Sequence, residues 1–405
     1  LVNGIFFAAG IGALAVISRA LGARDEKTAR ETAAQSVFIA AVAGVAMCAA
    51  TLLVSPVLPA WLNAEAEIRA DATAYFAIIC MPMVFRAASI IFGSVLRAAG
   101  DTRTPMLANL AMNALNVVMN FLLIYPTREL NILGLAFTMP GAGLGVSGAA
   151  IATALSYVLG GVLITRAMWK NAAVSPRRGG LRLNAKAMQS CLRIAVPVAL
   201  ARLTTSAGHV VFAALVATLG TVSLAAHSIA LTAEEAFYIP VFGINAAAAT
   251  LTGNALGEKD ARKLDMVGRS TIVITLLLMS FTGALLFAFA PVVMRLFTPD
   301  ARVVAEGVTV LRLVAISEPI FGIAIGVEGM LQGAGDTVVP FAITTATMWL
   351  VRIAGTVAVI YGLKLGLSAV WVCMVAENTV RGALYLWRYL RGRWKPPEFR
   401  VKATL

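Results

Sequence analysis

"LRAAGDTRTP" (residues 96–105) and "LQGAGDTVVP" (residues 331–340) are two copies of one phrase, 235 residues apart, with Leu, Ala, Gly, Asp, Thr and Pro at matching places. The phrase has the chemistry of a tight turn between helices. Gly100 and Gly335 suit the left-handed residue that ends a helix. Asp and Thr can cap the helix that follows, and Pro fits its first turn, where no backbone donor is needed. The offset extends outward: Ala20-Leu21-Gly22 matches Ala255-Leu256-Gly257, and Pro56-Val57 matches Pro291-Val292. Farther on, "LGVSGAA" (144–150) is similar to "LGLSAVW" (365–371) at an offset of 221, because the first copy has a longer loop at 126–140. One bundle is therefore written twice in the same orientation.

The surrounding sequence is apolar. Charged residues make up 13% of the 405 residues and hydrophobic residues 60%, against roughly 25% charged in soluble domains. Segments such as "SVFIAAVAGVAMCAATLLVSPVL" (36–58) exceed the ~20 residues that cross a bilayer. The predicted class is an all-α, polytopic membrane protein. Eleven spans are expected, at 3–20, 34–58, 72–95, 105–125, 143–166, 190–219, 225–254, 270–296, 304–330, 340–361 and 367–388. The second copy holds six of them and the first five. Residues 190–219 have no partner, since subtracting 235 points before residue 1, so the repeat predicts a further helix ahead of this segment in a twelve-helix parent. The expected organisation is a first lobe at 1–168, a linker at 169–189, a second lobe at 190–388 and a tail at 389–405.

The net charge of +13 is a matter of topology. Lys and Arg gather in alternate loops, around 19–30, 97–103, 166–186 and 259–269, and in the tail beyond Arg388. The opposite loops hold only Arg69, Arg128, Arg302 and Lys364. Positive residues mark the cytoplasmic side, which places the tail inside and argues against nucleic acid as a partner. Cys48, Cys80, Cys191 and Cys373 stand singly, without metal-ligand spacing, and read as small buried hydrophobes.

Ionisable residues inside a span are costly and therefore candidates for function. Reflecting positions about a hairpin turn compares their depth. His209, Glu234 and Glu235 come out level, about 12 residues or ~18 Å from the outer turn. A carboxylate beside a histidine can carry a proton, and the alternative is a static pair fixing two helices. Adjacent Glu234 and Glu235 point about 100° apart, so only one of them is expected to face His209 or the cleft. Arg352 comes out level with Glu318 and Glu377 on its flanking helices, with Arg381 one turn beyond, which suits a structural ion network. Glu328 lies nearer the boundary. In the first copy, Asn109, Asn113, Asn116 and Asn120 form one polar stripe that must face protein or water.

Taken with the paired phrase, "GINAAAATLTGNALGEKDA" (243–261), "LGVSGAAIATALS" (144–156) and "LRGRWK" (390–395) make the chain resemble the multidrug and toxic compound extrusion (MATE) family along nearly its whole length. The resemblance implies a multi-pass antiporter of the bacterial inner membrane, acting as a monomer with two six-helix lobes around a cleft. It implies export of small organic, often cationic, compounds in exchange for Na+ or H+. No enzyme activity and no cofactor besides that coupling ion are expected, and the chain has no G-x-x-x-x-G-K-[ST] phosphate loop. It also implies a cation site where many members have Asn and then Asp four residues later. Here those positions are Asn116 and Asn120, with Thr153 bordering, so the titratable group is absent while amide oxygens remain for sodium. Some branches carry a glutamate near Thr205 that this chain lacks, which moves the coupling candidates to Glu234 and Glu235. Arg86 is expected either to partner an acid on the preceding helix or to snorkel to headgroups. The alternative function is a flippase for a lipid-linked oligosaccharide, whose cleft should be ringed with basic groups.

Overall fold

The computed structural model describes residues 2–61, 65–132 and 135–399. Helices α1 (Val2–Gly22) and α2 (Glu26–Val54) are followed by a single turn, α3 (Leu58–Trp61). Next come α4 (Arg69–Cys80) and α5 (Met83–Ala98), bent by 46° at the break between them. Pro82 lies in that break; it has no N–H to donate, and its ring crowds the preceding turn. The span expected at 72–95 is thus a bent pair. α6 (Arg103–Leu123) leads into an antiparallel hairpin of β1 (Pro126–Ile132) and β2 (Leu135–Ala142), where the sequence suggested only a long loop. α7 (Gly145–Lys170) and the one-turn α8 (Pro176–Gly179) complete the first half.

The second half is built of longer rods: α9 (Ala185–Ala217), α10 (Thr221–Glu258), α11 (Ala261–Phe297) and α12 (Ala301–Ala334), of 33 to 38 residues. They outrun the ~20 residues a bilayer requires. α13 (Val338–Ala346) passes into π-helical turns at Thr347–Ile353 and Ala358–Gly362 on either side of α14 (Ala354–Val357). α15 (Leu367–Leu390) closes the bundle. Every expected span falls on helix, and the protein is an all-α polytopic membrane protein apart from the hairpin. Among the described residues, nine helices are long and apolar enough to cross a membrane and the bent pair makes a tenth. α15, which carries Glu377, Arg381 and Arg388, is not among them.

Both copies of the repeated phrase turn in the same way. Gly100 has φ +83° and Gly335 φ +81°. Asp101 N–H bonds back to Leu96 O at 3.0 Å, and Asp336 N–H to Leu331 O at 2.9 Å. The side chains diverge: Asp101 caps α6 by accepting from Thr104 N–H at 3.0 Å, whereas Asp336 accepts from Arg388 of α15 at 2.7 Å.

The chain forms two compact units, the first comprising residues 2–13 and 26–191, the second 14–25 and 192–405. In the second unit α12 packs against α10, α11 and α15. A Cβ at Gly329 would lie 2.3 Å from the Asn245 carbonyl oxygen, and one at Gly333 2.1 Å from that of Ala249. Only glycine lets the α10 and α12 backbones approach so closely. Around this contact Ala248, Leu256, Val327, Met330 and Leu331 are fully or almost fully buried, and a separate cluster further along α12 buries Phe212, Leu286, Val310, Leu311, Val314 and Trp371.

Candidate functional site

The π-helical turn at 347–353 interrupts the 3.6-residue period and leaves Arg352 6% exposed. Such turns recur at functional positions. Arg352 Nη2 donates to Glu377 Oε2 at 2.7 Å and to Asn378 Oδ1 at 3.3 Å. Thr347 Oγ1 donates to Glu377 Oε1 at 3.0 Å, and Arg381 Nε approaches the same oxygen at 3.3 Å. Arg352 lies over the Phe212 ring at 5.5 Å and Arg381 over Phe321 at 5.0 Å. Glu377 is completely buried and serves two guanidinium groups, so removing it would strand both. The level depths on flanking helices anticipated the Arg352–Glu377 contact.

Glu318 stands outside this network, although the depth argument placed it level with Arg352. It is 1% exposed, and neither carboxylate oxygen has a hydrogen-bond partner. It lies within electrostatic range of Glu234, which is 4% exposed and is itself within range of Arg352 and Arg381. Glu235 is exposed, as the 100° between neighbours requires. The expected His209–glutamate pair is not formed: His209 is exposed, and among the described residues no hydrogen bond or ion pair joins it to Glu234 or Glu235. Equal depth does not fix the direction in which a side chain leaves its helix.

The buried imidazole is His227, which the depth comparison passed over. It sits edge-on between Phe212 and Trp371, with ring centroids at 5.3 and 5.8 Å, and both its nitrogens lack partners. The available signal was its spacing of seven residues from Glu234, two helical turns on one face of α10.

In the first unit the asparagine stripe divides. Asn120 Nδ2 donates to Asn116 Oδ1 at 3.1 Å, Asn116 Nδ2 to Thr153 Oγ1 at 3.4 Å, and Thr153 back to Ala149 O at 3.0 Å. Asn120 Oδ1 is buried without a partner, an acceptor available to a cation. Asn109 and Asn113 instead line a cavity with Arg86 and Arg97. Arg86 Nε donates to Asn3 Oδ1 at 3.3 Å, and its guanidinium stacks over Tyr157 at 4.5 Å. Among the described residues no group of three or more His, Cys, Asp or Glu is placed to hold a metal ion, and the four cysteines are free.

The MatE family model matches residues 1–122 and 197–358. The chain belongs to the MatE family. This makes the protein a multi-pass membrane transporter of the multidrug and toxic compound extrusion type, and not an enzyme. Its MatE relatives include the probable multidrug resistance protein NorM of Thermotoga maritima, 29% identical over 97% of this chain and 82% of that protein. Multidrug and toxin extrusion protein 1 of Mus musculus is 24% identical over 72% of this chain and 49% of its own length. Two solved structures share the fold. A MOP superfamily transporter from Pyrococcus furiosus matches with a TM-score of 0.87 at 23% identity, covering 98% of this chain and 86% of that one. A MATE transporter in its bent conformation matches at 0.85, also 23% identical, covering 96% and 84%.

Proposed function

We propose that this MatE transporter exports small organic compounds, cationic or amphipathic, across the bacterial inner membrane in exchange for Na+ or H+, with Glu234 as the residue that takes the coupling ion. The carrying observation is that Glu234 is buried and lies within electrostatic range of a second buried acid, Glu318, whose two carboxylate oxygens have no hydrogen-bond partner among the described residues. Two carboxylates sharing a dry site resist ionising together, so the pair suits the uptake of a proton or a sodium ion. Arg352 and Arg381 remain committed to Glu377, which fixes the wall of the site. Bacterial relatives named as multidrug resistance proteins support the substrate class, and the basic loops support a cytoplasmic tail. The flippase alternative calls for a basic ring in the cleft, and the buried acids favour cation coupling.

The test is export of a fluorescent organic cation from proteoliposomes under an imposed Na+ or pH gradient. Efflux driven by one of the two gradients is expected. Efflux indifferent to both would refute the antiport reading.

A further inference from the structure

Gly22 and Gly257 are matching residues of the two copies, and the last turns of α1 and α10 meet at them. A Cβ on Gly22 would overlap the Asn254 carbonyl oxygen, and one on Gly257 the carbonyl oxygen of Arg19. Arg19 and Asn254 are themselves 235 residues apart, so one contact is made in both directions. Between them, a Cβ on Gly253 would lie 3.0 Å from the Cβ of Ser18, its counterpart at the same offset. Ser18-x-x-x-Gly22 thus packs on Gly253-x-x-x-Gly257, the small-residue spacing that lets two helix backbones approach. A contact in which each residue meets the copy of its counterpart's partner has two-fold form.

Both sides of this contact lie in the second unit. Residues 2–13 of α1 pack in the first unit, whereas residues 14–25 join α10 in the second. Ile17 and Ser18 are fully buried there. A helix of the first copy is therefore held at one end by the second. Shape alone holds it. Ser18 Oγ donates within its own helix to Ala15 O at 3.3 Å, and among the described residues no hydrogen bond or ion pair joins Ser18, Arg19 or Gly22 to α10. Asn254 keeps its side-chain oxygen buried without a partner. The other close approach of α10, at Gly329 and Gly333 of α12, is different: Asn245 Nδ2 donates across it to Ile325 O at 2.7 Å. Parting α10 from α12 breaks that bond. Parting α1 from α10 breaks none, strands no charge, and returns the Asn254 oxygen to water.

We propose that this two-fold contact is the cytoplasmic latch of the transport cycle: α1 and α10 lock here while the route is closed on that side, and part to admit a compound. A transporter with alternating access opens to one side at a time, so a contact that seals one end breaks once in each cycle. The basic stretches that follow both helices, 23–31 and 258–265, support the cytoplasmic position. Gly253 is 19 residues from Glu234, or ~28 Å along α10, so the latch is tested without reference to the coupling ion.

The experiment uses the full chain in proteoliposomes, with Cys48, Cys80, Cys191 and Cys373 replaced by alanine. Ser18→Cys with Gly253→Cys sets two thiols across the contact, close to the roughly 3.5–4.5 Å Cβ separation of a disulfide. Once oxidised with copper phenanthroline, the pair should lose export by about tenfold or more, and dithiothreitol should restore it. A second arm labels Asn254→Cys from the cytoplasmic face with a membrane-impermeant maleimide. Gly257→Ala, whose Cβ does not fit against Arg19, should raise that reactivity by about tenfold. Gly243→Ala, on the same helix with open space around it, should leave it unchanged. The maleimide arm decides alone should the cysteine pair not export before oxidation. Undiminished export by fully cross-linked protein, or equal reactivity in Gly257→Ala and Gly243→Ala, would overturn the proposal.

Discussion

Glu377 of the second unit and Ser156 of the first occupy matching places at the 221-residue offset, and both are buried, at 0% and 2% exposure. The serine satisfies itself on its own helix by donating to Ala152 O at 2.8 Å. The glutamate holds two arginines and a threonine. The same divergence separates Arg97 from Gln332 and Gly93 from Glu328. What the copies keep in common is backbone: left-handed Gly100 and Gly335, and the prolines at 105 and 340 in the first turns of α6 and α13. The duplicated scaffold is held by turn geometry, and the polar chemistry hung on it has specialised. Among the described residues, acids within the membrane-spanning core belong to the second unit, while the first offers amides and arginines.

The largest expected effect comes from breaking the buried network. Glu377→Ala should destabilise by about 3–5 kcal/mol, because Arg352 is left charged and unpaired. Its first-copy counterpart, Ser156→Ala, should cost about 1 kcal/mol or less. Thermal unfolding in one detergent compares the two, and equal losses would show that the copies have not diverged energetically. Next come the repeated aspartates. Asp336→Ala removes a largely buried pair with Arg388, whose side chains are 15% and 17% exposed, and should cost about 1–3 kcal/mol. Asp101→Ala removes a helix cap and should cost about 1 kcal/mol.

The smallest difference lies at the start of α12. Asp300 accepts from Arg302 N–H at 2.8 Å, whereas Glu65, its counterpart 235 residues earlier, makes no side-chain cap. The side-chain hydrogen bond from Arg302, followed by that from the Arg302 backbone, holds the Asp300 carboxyl below its ordinary range. A depressed carboxylate pKa contributes stability above the unfolded value, about 3.9, and loses it as pH falls through the folded one. Asp300→Asn should therefore slightly flatten the acid limb of an unfolding curve.

Backbone constraints and depth were legible in the residues. Gly, Asp and Pro in sequence specify a turn, and counting residues from a turn put Arg352 level with Glu377. Direction was not legible. The depth of His209 was a sound basis for seeking a partner, yet the side chain leaves on another face, while His227, seven residues before Glu234, faces the interior. Local irregularities also stayed hidden. The π-helical turn that brings Arg352 inward depends on packing with neighbouring helices, which a periodic reading of one segment does not contain. The asparagine stripe was visible as a single face of α6, but its division into an amide–Thr153 chain and an arginine-lined cavity depends on what α5 and α7 place opposite it.

The division of labour between the copies is tested most directly by comparing Glu234→Gln with Asn120→Ala in one gradient-driven export assay, at matched insertion in proteoliposomes. The amide of Glu234→Gln keeps shape and most hydrogen bonds but can neither take up a proton nor offer a full negative charge. Gradient-driven export should fall by about tenfold or more in Glu234→Gln, at least 1.4 kcal/mol on the coupled step, while Asn120→Ala should retain most of it. Wild-type export in Glu234→Gln together with its loss in Asn120→Ala would place coupling in the first unit and contradict the account.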